Sequence, residues 1–385
     1  MSLLDPQPCH ILYLIDELKV KGGSEKHLFE LATGMAAAGF RITVFTLAEG
    51  EYAQEFQANS RISYVCLNSP RIYDVRGLTT LFKIATYIRN EQVAILQSFH
   101  TASDLIGPFA ARLSLCHPKV LSSRRDLGYT KSSRHQQMQR YVNYLVDGIL
   151  ANSHAVKQSV CVQERFPADR INVIYNGINL DPFVPDPQRR KQQREAFGVA
   201  CDTVVIGSVG NIRPVKGYDL LVEAAGLVCS QFPHVHFIHA GDGDLLDDLR
   251  QRCRELGIAD RFTFFGAVTD VPSFLNGLDI YVQPSRSEGF SNAILEAMAS
   301  ELTVVVAEVG GNLEIVKHGV SGMLVPPENI NALADAIKSL VIDETTRLSF
   351  VAEAKEKLIS GFQLRHMMQR YQHLYFGYNS LNKIR

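Results

Sequence analysis

The sequence predicts an α/β protein made of two Rossmann-like, doubly wound domains, and three observations carry that expectation. At 385 residues the chain exceeds the roughly 100–200 of one ordinary domain and is large enough for an inter-domain cleft. Short runs rich in Val, Ile and Phe alternate with helical windows, which is the rhythm of βαβ units around a parallel sheet. A break at Leu180–Gln193, carrying Pro182, Pro185 and Pro187, divides that alternation in two, because proline continues neither element.

Taken in order, the first half reads as a strand at His10–Ile15, a helix at Ser24–Ala38 and a strand at Arg41–Leu47. Strands follow near Val93–Ser98, Val120–Ser123, Gly148–Ala151 and Ile171–Tyr175, with helices between them. The second half repeats the scheme at Thr203–Val209, His236–Ala240, Arg261–Phe265, Asp279–Gln283, Thr303–Ala307 and Gly322–Val325. Helices are expected at Ile330–Leu340, Glu344–Leu358 and His366–Tyr378. The last of these carries Met367, Met368, Tyr371, Leu374 and Tyr375, an apolar face that must cover something. The expected domains are 1–180, a linker 181–200, 201–360, and a C-terminal helix 361–385 packing back on the first domain.

Composition narrows the function classes. With 46% hydrophobic residues, 21% charged and a net charge of -1, the chain is globular and lacks the basic excess of a nucleic-acid binder. No apolar run reaches the ~18 residues of a membrane span, and no signal peptide is expected. Seven scattered cysteines without a Cys-x-x-Cys pair fit a reduced, cytoplasmic compartment, and neither they nor the twelve histidines suggest a metal site.

Two segments carry candidate chemistry. The strand Thr203–Val209 runs into Gly210-Asn211-Ile212-Arg213-Pro214-Val215-Lys216-Gly217, placing Arg213 and Lys216 at the carboxyl end of a strand, where open parallel sheets bind ligands. Such a pair suits a diphosphate, although loop cations are also common as solvated charges. The strand Asp279–Gln283 feeds a loop with Glu288, Gly289 and Phe290, and a helix is expected from about Ser291. Its free N–H groups, near Ser291 and Asn292, suit an anion. Glu296 stands among Ala, Ile, Leu and Met and must be paired or hydrogen-bonded; a cap at Glu288 and a core partner for Glu296 are the plain structural alternatives.

The Glu-x7-Glu pair Glu288 and Glu296, within Ser-Glu-Gly-Phe-Ser-Asn-Ala-Ile-Leu-Glu-Ala-Met-Ala, resembles the signature of the retaining glycosyltransferases of family 4, which have the GT-B fold. Arg213–Gly217, Gly310-Gly311-Asn312-Leu313-Glu314, Gly319–Pro327, Gly22-Gly23-Ser24-Glu25 and Tyr175–Asn179 match in order. The resemblance implies that Arg213 and Lys216 hold a donor diphosphate, Glu296 the ribose and Glu288 the transferred sugar, with Gly289, Phe290, Ser291 and Asn292 beside them. It also implies that Gly241 and Val268 line the base and that Gly22 and Gly23 approach the donor phosphate across the cleft. His100, after the strand Val93–Ser98, resembles the family's active-site histidine, though Gln97 and Phe99 replace the commoner His-x-His form. Asn211 stands where many relatives have arginine.

The expected function is therefore a metal-independent retaining glycosyltransferase, without a cofactor, moving a sugar from a nucleoside diphosphate sugar to a glycan or lipid-linked hydroxyl. A nucleotide-sugar epimerase of the same fold and a non-catalytic sugar-nucleotide binder are the alternatives. Between Arg112 and Arg170 ten basic residues, Lys131 and Arg134 among them, face four acidic ones. This flank is either a solvated face or a contact with anionic lipid at the inner face of the membrane, and Arg124 or Arg125 could meet an anionic acceptor.

Overall fold

The computed structural model describes residues 9–19, 22–69, 72, 74–129 and 133–382. The chain forms two compact units, one of Met1–Asn176 with Arg365–Arg385, the other of Gly177–Leu364.

In the first unit, strands β1 (His10–Glu17), β2 (Arg41–Ala48), β3 (Ile62–Cys66), β4 (Ile95–Phe99), β5 (Lys119–Arg124), β6 (Gly148–Ala151) and β7 (Ile171–Val173) make one parallel sheet. Its order is β3-β2-β1-β4-β5-β6-β7. Helices α1 (Gly23–Ala37), α2 (Ala53–Ala58), α3 (Val75–Asn90), α4 (Thr101–Leu113), α5 (Ser133–Val142) and α6 (His154–Gln163) connect the strands. The six residues His10–Ile15 are buried without alternation, as expected of a strand covered on both faces. Strand β3 was not expected from the sequence. It pairs only with β2 at the sheet edge, and its alternating burial gives a weaker apolar signal than the central strands.

In the second unit, β8 (Val204–Val209), β9 (Val235–Ala240), β10 (Phe262–Gly266), β11 (Ile280–Gln283), β12 (Thr303–Ala307) and β13 (Met323–Val325) form a parallel sheet of order β10-β9-β8-β11-β12-β13. Its helices are α7 (Pro187–Phe197), α8 (Tyr218–Cys229), α9 (Leu246–Glu255), α10 (Val271–Asn276), α11 (Asn292–Ala299), α12 (Asn312–Ile315), α13 (Ile330–Ile342) and α14 (Glu344–Gly361). Ile206, Val222, Phe237, Val282, Val305 and Ile337 lie in its core.

The stretch 181–200, expected as a linker, contains α7. Asp186 caps it by accepting the N–H groups of Gln188 at 2.8 Å and Arg189 at 3.1 Å. Pro187 occupies a first-turn position, where its missing N–H would have had no helical partner, and Gly198 ends the helix at φ 70°. Proline here starts a helix that packs within the second unit: Arg194 and Arg190 both pair with Asp279.

The last helix, α15 (Leu364–Asn382), belongs to the first unit from Arg365 onward. Its Tyr375 hydroxyl donates to Gln97 Oε1 at 2.5 Å and accepts from Tyr13, while Tyr371 meets His27 Nε2 at 3.2 Å. None of the described helices is long and apolar enough to cross a membrane.

Candidate active site

In each sheet the strand order reverses about its first strand, between β1 and β4 in the first unit and between β8 and β11 in the second. Such a switch point opens a crevice at the carboxyl ends of the strands, and the candidate residues lie on the loops flanking it.

In the second unit the loops after β8 and β11 are tied together. Arg286 N–H donates to Val215 O at 2.8 Å, and its guanidinium bonds Pro214 O and both oxygens of Asp219 on the first turn of α8. Gly217 sits between them at φ 68°, and a Cβ there would run into the Pro284 carbonyl, so both backbone and space require glycine. Lys216 is thereby held close enough for its Nζ to reach Glu288 Oε1 at 2.7 Å. Gln283 Nε2 and Ser285 Oγ donate to the same oxygen, each at 2.7 Å. All three donors converge on Oε1, which leaves Oε2 of this buried glutamate as the acceptor without a partner among the described residues.

Gln283, the last residue of β11, organises the site, and the sequence did not single it out. Besides bonding Glu288, it accepts the hydroxyl protons of Ser291 at 2.9 Å and Tyr281 at 3.1 Å. Ser291 caps α11, its Oγ accepting from Ile294 N–H, so the cap is not Glu288. Glu296 is buried on the second turn of α11, and its charge and that of Glu288 add to the burial that raises the Tyr281 hydroxyl far above its ordinary range. Arg213, in contrast, is exposed and its guanidinium has no partner among the described residues.

The loops after β9 and β10 close the other side. Gly241 N–H donates to Gly266 O at 2.8 Å, and Ile212 N–H to Asp242 O at 2.8 Å, while Val268 is half-buried two residues past Gly266. His239, buried beneath them, bonds Gly210 O through Nε2 and Ser208 through Nδ1. A carbonyl only accepts, so Nε2 carries the proton and Nδ1 receives the serine hydroxyl. Burial pushes His239 down to about 4. Gly289, Ser291 and Phe290 are buried, with Phe290 against Phe362 at 5.5 Å, and Asn292 is half-buried at the first position of α11.

In the first unit His100 stands between β4 and α4, its Nε2 3.9 Å from Glu25 Oε1 on α1. Its backbone is at φ 71° and ψ 172°, a region that glycine tolerates and that costs another residue about 1–3 kcal/mol. Gly22 is the N-cap of α1 at φ -83°, so it needs no left-handed backbone, and a Cβ there would meet the Glu25 carboxylate; Gly23 is exposed in the first helical turn. Gln97, in place of a histidine, is buried and committed to Tyr375 and Ser123.

Arg124 is withdrawn from any acceptor role. It is buried and matched by two carboxylates, Asp104 at 2.6 Å and Glu164 at 2.8 Å, because its strand position turns it into the interior. Arg125 is half-buried and donates to Asn176 at 2.8 Å. Lys131 lies outside the described residues, while Arg134 is exposed on α5. Among the described residues no group of three His, Cys, Asp or Glu side chains could hold a metal ion.

Comparison with known proteins bears on the family and the fold. A family model described as glycosyl transferases group 1 matches residues 189–357, and one described as Glycosyltransferase Family 4 matches residues 21–182. The chain is 24% identical, over 81% of each sequence, to the UDP-Gal:alpha-D-GlcNAc-diphosphoundecaprenol alpha-1,3-galactosyltransferase of Escherichia coli. It is 32% identical, over 56% of each sequence, to an uncharacterized glycosyltransferase of Methanocaldococcus jannaschii. The crystal structure of Anabaena HepE with UDP-glucose superposes with a TM-score of 0.86 at 23% identity, covering 96% of this chain and 99% of that one. At that identity the likeness establishes the GT-B fold.

Proposed function

Because this chain belongs to glycosyltransferase family 4 and is a glycosyltransferase, we propose that it moves a sugar, with retention at the anomeric carbon, from a nucleoside diphosphate sugar to a hydroxyl acceptor. The observation that carries the reading is the convergence of Lys216, Gln283 and Ser285 on Glu288 Oε1 beside the start of α11. It sets a fixed cation and a half-committed carboxylate a few ångströms apart. The cation suits a departing diphosphate, and Oε2 suits a sugar hydroxyl.

In this reading Lys216, Arg213 and the positive end of the α11 dipole stabilise the charge that grows on the diphosphate as the anomeric bond breaks, in place of a metal ion. The reacting sugar is oxocarbenium-like, so positioning and charge stabilisation supply most of the rate. The acceptor hydroxyl attacks from the face the diphosphate leaves, and its proton passes to a diphosphate oxygen. Glu296 holds the ribose, Gly241 and Val268 line the base, and His100 works beside the transferred sugar.

A lipid-linked acceptor at an anionic membrane is the substrate class this reading favours, because an acceptor of that kind is the one named for the Escherichia coli relative. Helix α5 supports it: its buried Gln139 is polar and donates to Asn143, just beyond the helix, which in turn donates to Glu164. Met138, Tyr141 and, just beyond the helix, Tyr144 are exposed, with Arg134 near them. Aromatic rings beside cations suit a lipid–water interface.

The test is a screen of uridine and guanosine diphosphate sugars against lipid-linked and glycan acceptors, following release of free nucleoside diphosphate and the anomeric configuration by NMR. Turnover with the donor's configuration kept is expected. A product of inverted configuration, or no turnover with any donor, overturns the reading.

A further inference from the structure

Helix α4 begins in an unusual way. A residue in the N-cap position ordinarily turns its side chain to accept an N–H of the first turn, and His100 makes no such bond. Those donors are taken instead by Asp16, from the neighbouring strand: Oδ2 accepts Ala102 N–H at 3.0 Å, while Oδ1 accepts Ser103 N–H at 2.7 Å and the Ser103 hydroxyl at 2.5 Å. The register allows it, since β1 and β4 pair in parallel with Ile15 opposite Phe99, which sets Asp16, still within β1, opposite His100 just past the end of β4.

Two consequences follow from that exchange. The first-turn donors of α4 are satisfied without the imidazole, which stands 30% exposed beside Glu25. The favourable contact of a carboxylate with a helix N-terminus offsets the strain of the left-sided backbone at His100. A strained conformation persists only where surrounding bonds over-determine it, and here the three bonds to Asp16 do so.

We infer that Asp16 is a positioning residue for His100, capping α4 from β1 so that the imidazole is held out of the helix and available to the reacting sugar. The inference rests on the reading of His100 as an active-site residue, and extends it to a residue that touches no substrate.

A double-mutant cycle tests it in the full chain. Asp16→Asn keeps the shape but sets an amide donor against N–H donors. It should lower kcat about 10–100-fold, the scale of a small misplacement, with KM for the donor little changed. Ser103→Ala, which removes one of the three bonds, should give a smaller loss at an unaltered melting temperature, and covers the case in which Asp16→Asn folds poorly. With His100→Ala in the background, Asp16→Asn should add almost nothing, because it acts through a group already gone. Wild-type kcat in both Asp16→Asn and Ser103→Ala, or losses that multiply fully with His100→Ala, would sink the positioning role while leaving His100 as assigned. Full turnover in His100→Ala would instead remove the active-site reading, and the positioning role with it.

Discussion

Lys216 and Glu288, seventy-two positions apart in sequence, meet at 2.7 Å through Nζ and Oε1. Each side chain comes from a different strand-end loop, and the contact exists because β8 and β11 are neighbours at the switch point of the second sheet.

Lys216→Ala should therefore depress turnover far more than it unfolds the protein. Gln283 and Ser285 still hold Glu288 Oε1, so the melting temperature should shift by only a few degrees. Loss of one preorganised charge-stabilising group costs on the order of 10²–10³ in rate. Near-normal turnover with an unchanged melt would show that the diphosphate is held elsewhere.

For Glu296→Gln the kinetic signature should differ. A ribose contact is made equally before and during reaction, so KM for the donor should rise with kcat nearly kept. Steady-state rates over a donor titration check this, beside a thermal melt that reports whether buried Glu296 supports the fold instead.

His100→Gly should raise stability while abolishing most activity. Relief of about 1–3 kcal/mol of backbone strain exceeds the ~0.5–1 kcal/mol that glycine loses in entropy. A higher melting temperature with lower kcat is expected; a lower one would mean that the imidazole's packing outweighs the strain.

Acid should weaken the second unit through His239. Its folded value of about 4 lies below the ordinary 6.5, so the unfolded chain binds the extra proton between those values. The stabilisation is complete above pH 6.5 and disappears as pH falls toward 4, with His236 of the same unit, also lowered by burial, acting in the same direction. His239→Asn should flatten the fall in melting temperature over that window.

Charge and aromatic character on α5 predict binding to anionic vesicles that weakens with salt, since exposed charges are screened within about 8 Å at physiological ionic strength. Arg134→Glu should reduce it, as should Tyr141→Ser with Tyr144→Ser. Equal sedimentation with neutral and anionic vesicles would remove the membrane from the account.

Much of this protein is local and is legible in the chain itself. Twelve of the thirteen strands among the described residues, the helix start at Ser291 and the placement of Lys216, Glu288 and His100 at strand ends all follow from periodicity, turn residues and side-chain caps. Strand order is not local, because a crossover connection leaves the next strand free to pair at either edge. Only the folded sheet puts β8 beside β11 and so brings Lys216 to Glu288 Oε1, where Gln283, a residue without a motif, also bonds. The same holds for Asp16, whose reach to the first turn of α4 beyond His100 depends on parallel pairing of β1 with β4, and for Arg124, whose charge two distant carboxylates match in the interior. Pattern reveals which face of an element is apolar; which elements meet is decided by burial and hydrogen bonding across the whole sheet.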